Sequence, residues 1–333
     1  MVDVPDDHDV GRPGPDPRLS RLDRLSRAHG WSFSGPAGEF GATSIAGFDP
    51  AGQVFGTTVA YLGPPGFGRC FVPAGGAGRL AGNTSADPHN PLIAKLHAAR
   101  SLALERAVTE CQALGGDGII GARMSSAPFF SDTVEFTVEG SAVRAHSALR
   151  PATPFTTHVS GQDLARLLRS GWMPFALVFG LAIAACHFDE TMFRQSSRGV
   201  GAAGNREVSG YTRLVNDARR EARTALEYAV RRQGGHGAVV QEMTLKLTER
   251  ECPLAEERFD YVVEAVILGS AVVPFDRSGP PVPQRPLTIM RLDRRPGTAP
   301  QAEPGPDAVP APTLGDRAYA YWSTRIASQG PDT

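Results

Sequence analysis

Apolar residues recur along this chain with two distinct periods. Between positions 92 and 114 they step by three and four, at Leu92, Leu96, Ala99, Ala103, Ala107, Cys111 and Leu114. That spacing lines one face of a helix. Asn90 and Pro91 supply an N-cap and a first-turn proline, and Gly115-Gly116 supplies a glycine stop. Upstream, QVFGTTVAYLG at 53–63 predicts a strand, followed by a loop dense in Gly and Pro. Two further strands are expected after the helix. In the second, Val134, Phe136 and Val138 alternate with Glu135, Thr137 and Glu139, the pattern of a strand with one buried and one wet face.

The same plan then recurs. A second helix carries Val215, Ala218, Ala222, Leu226 and Ala229 and stops at Gly234-Gly235. GFDPAGQVFG at 47–56 parallels GWMPFALVFG at 171–180, and LGGDGIIGARM at 114–124 parallels QGGHGAVVQEM at 233–243. GSAV occurs at 140–143 and again at 269–272, and Glu135 and Glu264 keep that last spacing. Three blocks in one order, with drifting offsets, indicate a duplicated unit whose loops have changed length. The alanines on both helical stripes suit close approach of a helix to a sheet. The final strand, YVVEAVILGSAVV at 261–273, does not alternate. A strand apolar on both sides must bury both, so its second face is expected to pack on another domain or subunit.

The implied organisation is a polar, Pro-rich tail at 1–18, a first domain at 19–150, a second at 151–274, and a Pro-rich tail at 275–333. A short helix is expected in that last tail at 314–329. The fold class is α+β: two units, each a small antiparallel sheet with one long helix packed across it. Of 333 residues, 41% are hydrophobic and 21% charged, so most of the chain should build cores. The net charge of −1 argues against nucleic acid, which needs a basic stripe, and against an anionic membrane surface. The apolar run from Met173 to Cys186 is shorter than the roughly 20 residues of a spanning helix. The N-terminus lacks the basic start and apolar core of a signal peptide. A cytoplasmic location is therefore expected. The four cysteines, Cys70, Cys111, Cys186 and Cys252, form no CxxC pair, and the expectation is reduced thiols.

The run AARSLALERAVTECQALGGDGIIGARM followed by EFTVEGSAVR resembles the signature half of the YbjQ family, known as a heavy-metal-binding domain. NREVSGYTRLVNDARREARTALEYAVRRQGGHGAVVQEM with VILGSAVV resembles it as well, so the likeness covers roughly 30–147 and 154–273. It implies dodecin-like subunits and ring-shaped homo-oligomers, with no established catalytic residues to carry over. The second copy departs from the pattern, having His236 where Asp117 stands in the first.

The best metal candidate is CHFDE, where Cys186, His187, Asp189 and Glu190 are all ligand types. A thiolate and an imidazole suit a soft or divalent cation such as zinc or copper. Neighbours on a strand point to opposite faces, however, so Cys186 and His187 would not easily share one ion. No cofactor beyond such an ion is expected. Glu249, Glu251 and Cys252 in TERECPLAEER are expected to form a charged turn between strands. His97 and His146 are isolated. GVGAAG at 199–204 fits GxGxxG formally but follows the polar FRQSSR, not a strand, and is expected to be a loop. No GxSxG, HExxH or P-loop is present. The sequence thus points to a non-enzymatic, oligomeric binding or scaffold protein with a protein or small-ligand partner. A heavy-metal binder or sensor is the alternative, and a nucleotide-using enzyme a weaker one.

Overall fold

The structure is a computed structural model. It describes residues 21, 23, 32–33, 35, 37–62, 80–84, 91–130, 132–148, 150–187, 207–251 and 259–275. The expected tails at 1–18 and 275–333, with the helix at 314–329, lie outside the described residues, except for Phe275, which is buried in the core and not part of a tail. So do Asn90 and the GVGAAG segment.

The first half comprises α1 (Ala37–Ile45), β1 (Phe48–Tyr61), β2 (Leu80–Thr84), α2 (Pro91–Ala113), β3 (Gly118–Pro128) and β4 (Thr133–Ala145). The two-residue β5 (Phe155–Thr156) leads to α3 (Gly161–Arg169), β6 (Trp172–His187), α4 (Ser209–Arg232), β7 (Gly237–Glu251) and β8 (Phe259–Pro274). One sheet has the order β1-β4-β3-β5 and the other β2-β6-β8-β7. In each sheet the three long strands run antiparallel, with the last of the half in the middle. The architecture is α+β, with two small four-stranded sheets and four helices among the described residues.

Local sequence explains the element ends. Ser160 caps α3 by accepting from Asp163 N–H at 3.2 Å. Each short helix turns into its strand through a glycine at positive φ, Gly47 (92°) and Gly171 (80°). The long helices stop alike. Gly116 N–H donates to Cys111 O and Gly235 N–H to Val230 O, each at a distance of 2.8–2.9 Å, bonds that satisfy carbonyls orphaned at a helix end.

Each long helix crosses its own sheet at a glycine. A Cβ on Gly56 would lie 2.0 Å from Ala103 O and 2.6 Å from Ala107 N. One on Gly180 would lie 2.1 Å from Ala222 O and 2.5 Å from Leu226 N. The small residues of the helical stripes therefore meet a strand position with no side chain at all. Ala99, Ala103, Ala107 and Cys111 are buried on α2, and Ala218, Ala222 and Leu226 on α4.

β8 buries both faces, and the chain itself supplies both covers. Val263, Ala265, Ile267 and Ala271 pack with Val178 and Ala182 of β6 against α4. Leu268, with Val262 and Val266, joins Leu177, Phe179, Leu181 and Ile183 in the core that contains α2. The resulting order of layers is first sheet, α2, second sheet, α4. A third cluster at one end, including Phe48, Ile120, Phe155, Leu164, Met173 and Phe275, ties α3 and the ends of both sheets together.

Four elements carry no signal in the pattern of apolar residues: α1, α3, β2 and β5. β2 and β5 are short and gain their pairing from distant strands, β6 and β3. The charged turn expected from TERECPLAEER needs correction. β7 continues to Glu251, and Glu249 and Glu251 pair with Tyr261 and Phe259 of β8. A strand rail can carry charge on its wet positions, so the charge run did not mark the turn. No described helix is long and apolar enough to cross a membrane.

Candidate functional site

The most elaborated chemistry of the described chain lies where α2 is held between the two sheets. Arg100 projects from α2 and is almost fully buried. Its Nη2 donates to Glu264 Oε1 of β8 at 3.2 Å, and its Nη1 to Leu96 O at 3.3 Å. The guanidinium carbon sits 4.8 Å from the centre of the Phe136 ring, on β4 of the other sheet. One cation thus touches all three layers. Burial lowers its pKa, while Glu264 pushes the other way. One turn earlier on α2, the His97 ring lies 4.7 Å from the Phe179 ring of β6. Burial lowers the His97 pKa, and the nearby positive charges of Arg100 and Arg232 lower it further.

Beside this contact is a cleft of about 710 Å³ lined by Leu96, Arg100, Phe136, Glu242, Glu264 and Leu268, among others. Its buried cation is already engaged by a carboxylate. The arrangement favours cohesion between layers over recognition of an anion.

A second polar cluster joins the segment after β5 to the second sheet. Ser270 Oγ of β8, fully buried, accepts from His158 N–H at 3.0 Å. It also lies 2.7 Å from His158 Nδ1 and 2.8 Å from Thr157 Oγ1. Thr157 Oγ1 in turn accepts from Val159 N–H, and Thr156 Oγ1 accepts from Leu177 N–H. A hydroxyl beside an imidazole can serve as nucleophile and base. Here the hydroxyl is sealed from solvent and its hydrogen-bonding capacity is taken by three neighbours, so it cross-links β8 to the connecting segment. Burial lowers the His158 pKa. The only sequence signal for this site was the polar run Thr156-Thr157-His158, which carries no motif.

Asp117 has a local structural task. Its Oδ2 accepts from Ala145 N–H at 2.9 Å and from Arg150 Nη1 at 2.7 Å. It thereby fixes the end of β4 to the start of β3. His236 stands at the equivalent place in the second half, donating its own N–H to Val272 O as Asp117 does to Val143 O.

The structure places the candidate metal ligands as follows. Cys186 is buried in the core between β6 and α4. His187 is the last residue of β6 and stands at the register position opposite Asp260. Asp189 and Glu190 lie outside the described residues. Among the described residues, no group of three His, Cys, Asp or Glu side chains is placed to hold a metal ion. Cys111 donates its thiol to Gly118 O at 3.4 Å, and burial pushes its pKa up to about 12, the behaviour of an inert structural thiol. His146 contacts Asp49 at 3.0 Å on the surface.

Fold and site together define a layered α+β protein whose buried polar groups bind its layers to one another. Over 208 residues, 60% of this chain and 72% of the relative, it is 30% identical to an encapsulin nanocompartment protein of Mycobacterium tuberculosis. The chain belongs to the family of that nanocompartment protein. No protein-family model matches it. The YbjQ assignment, with its heavy-metal-binding label, is thereby corrected: the relative found is a nanocompartment protein, and no family match supports YbjQ. The residues that carried the resemblance were an Ala-rich helix with its glycine stop and a strand glycine pattern. Close helix-on-sheet packing imposes these features, and so they do not identify one family.

Proposed function

We propose that this chain is a non-enzymatic, homo-oligomeric structural component of a cytoplasmic protein nanocompartment. The observation that carries this reading is the relationship to the encapsulin nanocompartment protein. The layered fold supports it, because the buried polar groups at Arg100, Asp117 and Ser270 are engaged in holding strands and layers together. We read the halves, 19–150 and 151–274, as two copies of one dodecin-like unit. Support comes from the matching helix stops and from the two glycines at which the long helices cross.

Native mass spectrometry and electron microscopy of the full-length protein test the reading. The expected result is a particle whose mass is a multiple of the 35.3 kDa chain. A single-chain mass across the accessible concentration range overturns it.

A further inference from the structure

The contact of α2 with the second sheet has an equivalent on the surface of the described residues, where Arg219 is exposed and Glu135 is half-buried and accepts from Thr57 Oγ1 at 3.0 Å. Position by position, β6 matches β1 with a shift of 124, and α4 matches α2 with a shift of 119. The close crossings fix the second alignment, since Ala103 and Ala107 at Gly56 correspond to Ala222 and Leu226 at Gly180. The register fixes the strands. Glu264 pairs with Ile183 in the second sheet, and Glu135 pairs with Val59 in the first. Glu264 therefore corresponds to Glu135, and Arg100 to Arg219. The inner pair is joined at 3.2 Å. In the outer pair, Arg219 is exposed on the side of α4 away from its sheet, and Glu135 stands on the face of the first sheet away from α2.

We propose that these two faces dock on each other between copies of this chain, head to tail, with Arg219 of one copy against Glu135 of the next. The proposal rests on the oligomeric reading above and deepens it. Charge favours the contact. The α4 face presents Arg219, Arg220 and Arg223, of which Arg220 is engaged by Asp217. The facing sheet presents Glu135 and Glu139, with Arg123 paired across from Glu139. Exposed Phe55, Val59 and Tyr61 on β1 add apolar area to that sheet face, as Met243, Leu245 and Leu247 do beside α4. Where the inner contact has Leu104 on the helix and Val266 and Leu268 on the sheet, the outer one has Arg223, Thr137 and Glu139. The inner contact is thus dry and permanent, and the outer one is polar and sensitive to salt. A head-to-tail contact of this kind joins unlike faces, so it closes into a ring or runs on as a filament.

The test uses the full chain with Glu135→Arg, Arg219→Glu and the double exchange, each sized by native mass spectrometry and light scattering. Circular dichroism confirms that each variant is folded. Each single reversal is expected to lower the assembly mass, and the double exchange to restore it. High salt should dissociate the wild type. A folded Arg219→Glu and a folded Glu135→Arg that both keep the wild-type mass refute this contact and leave oligomerisation standing. Single reversals that lower the mass without rescue by the exchange refute the pairing. A monomeric wild type, including one that engages these faces only with a different protein, refutes both this inference and the oligomeric reading.

Discussion

Arg100 and Glu264, 164 positions apart in the chain, meet at 3.2 Å between α2 and the second sheet. The arginine is 6% exposed and the glutamate 25%. Removing one partner of such a pair leaves the other charge poorly solvated, which costs more than removing both. Arg100→Ala is therefore expected to lower unfolding stability by about 2–3 kcal/mol. Arg100→Met combined with Glu264→Leu should recover most of that loss. Urea denaturation of the three proteins checks this. A double variant as unstable as the single one would show that the loss comes from the other contacts of Arg100, with Leu96 O and the Phe136 ring, and not from leaving Glu264 unpaired.

Gly56 and Gly180 sit where a helix backbone passes within van der Waals distance of a strand. Alanine at either position must push the helix off its sheet, because the obstructing atoms are backbone and not the end of a flexible side chain. Each Gly→Ala substitution should cost at least about 2 kcal/mol. Alanine at Gly41, with nothing within 4 Å of the added carbon, should leave stability near wild type. Thermal melts that rank Gly41→Ala with the other two would contradict the close crossing.

Acid should weaken the fold through two histidines. Burial holds the pKa of His97 and of His158 below the ordinary 6.5. Their stabilising contribution is present above that ordinary value and is lost as pH falls through the lower folded values. Asp117 acts with the opposite sign. Burial raises its carboxyl above 3.8, so its contribution is present below that value and is lost as pH rises through the raised one. Between neutral pH and the carboxylate range the histidines dominate, and Tm is expected to fall as the solution is acidified. The variant with His97→Gln and His158→Gln should show a flatter profile. An unchanged slope would assign the acid sensitivity elsewhere.

Metal addition is expected to change stability little. Cys186 is packed among apolar residues of β6, β8 and α4, and among the described residues no group of three His, Cys, Asp or Glu side chains is placed to hold an ion. A tight site would add about 4 kcal/mol at a thousandfold excess of ligand over Kd. Thermal shifts with zinc, copper and nickel measure it. A large shift that disappears in Cys186→Ala would establish a metal site at this strand end.

Elements whose signals are local can be read directly from the chain. The i, i+3, i+4 stripe of α2, its double-glycine stop and the alternation at Val134, Phe136 and Val138 follow from residues within a turn or two of each other. So does the fact that β8 needs cover on both faces, because two apolar sides are visible in one strand. What supplies the cover depends on packing between segments far apart in the chain. The sequence allowed a second domain or a second subunit, and the described chain covers β8 with α2 on one side and α4 on the other. Short β2 and β5 were invisible for a related reason: each is defined by the strand it pairs with far away in the chain. Ser270 and His158 are 112 positions apart, and no spacing rule links them. The YbjQ resemblance fails for a reason of the same kind. Glycine, alanine and helix-stop patterns record that a helix lies close on a sheet, a demand of packing that unrelated assemblies share.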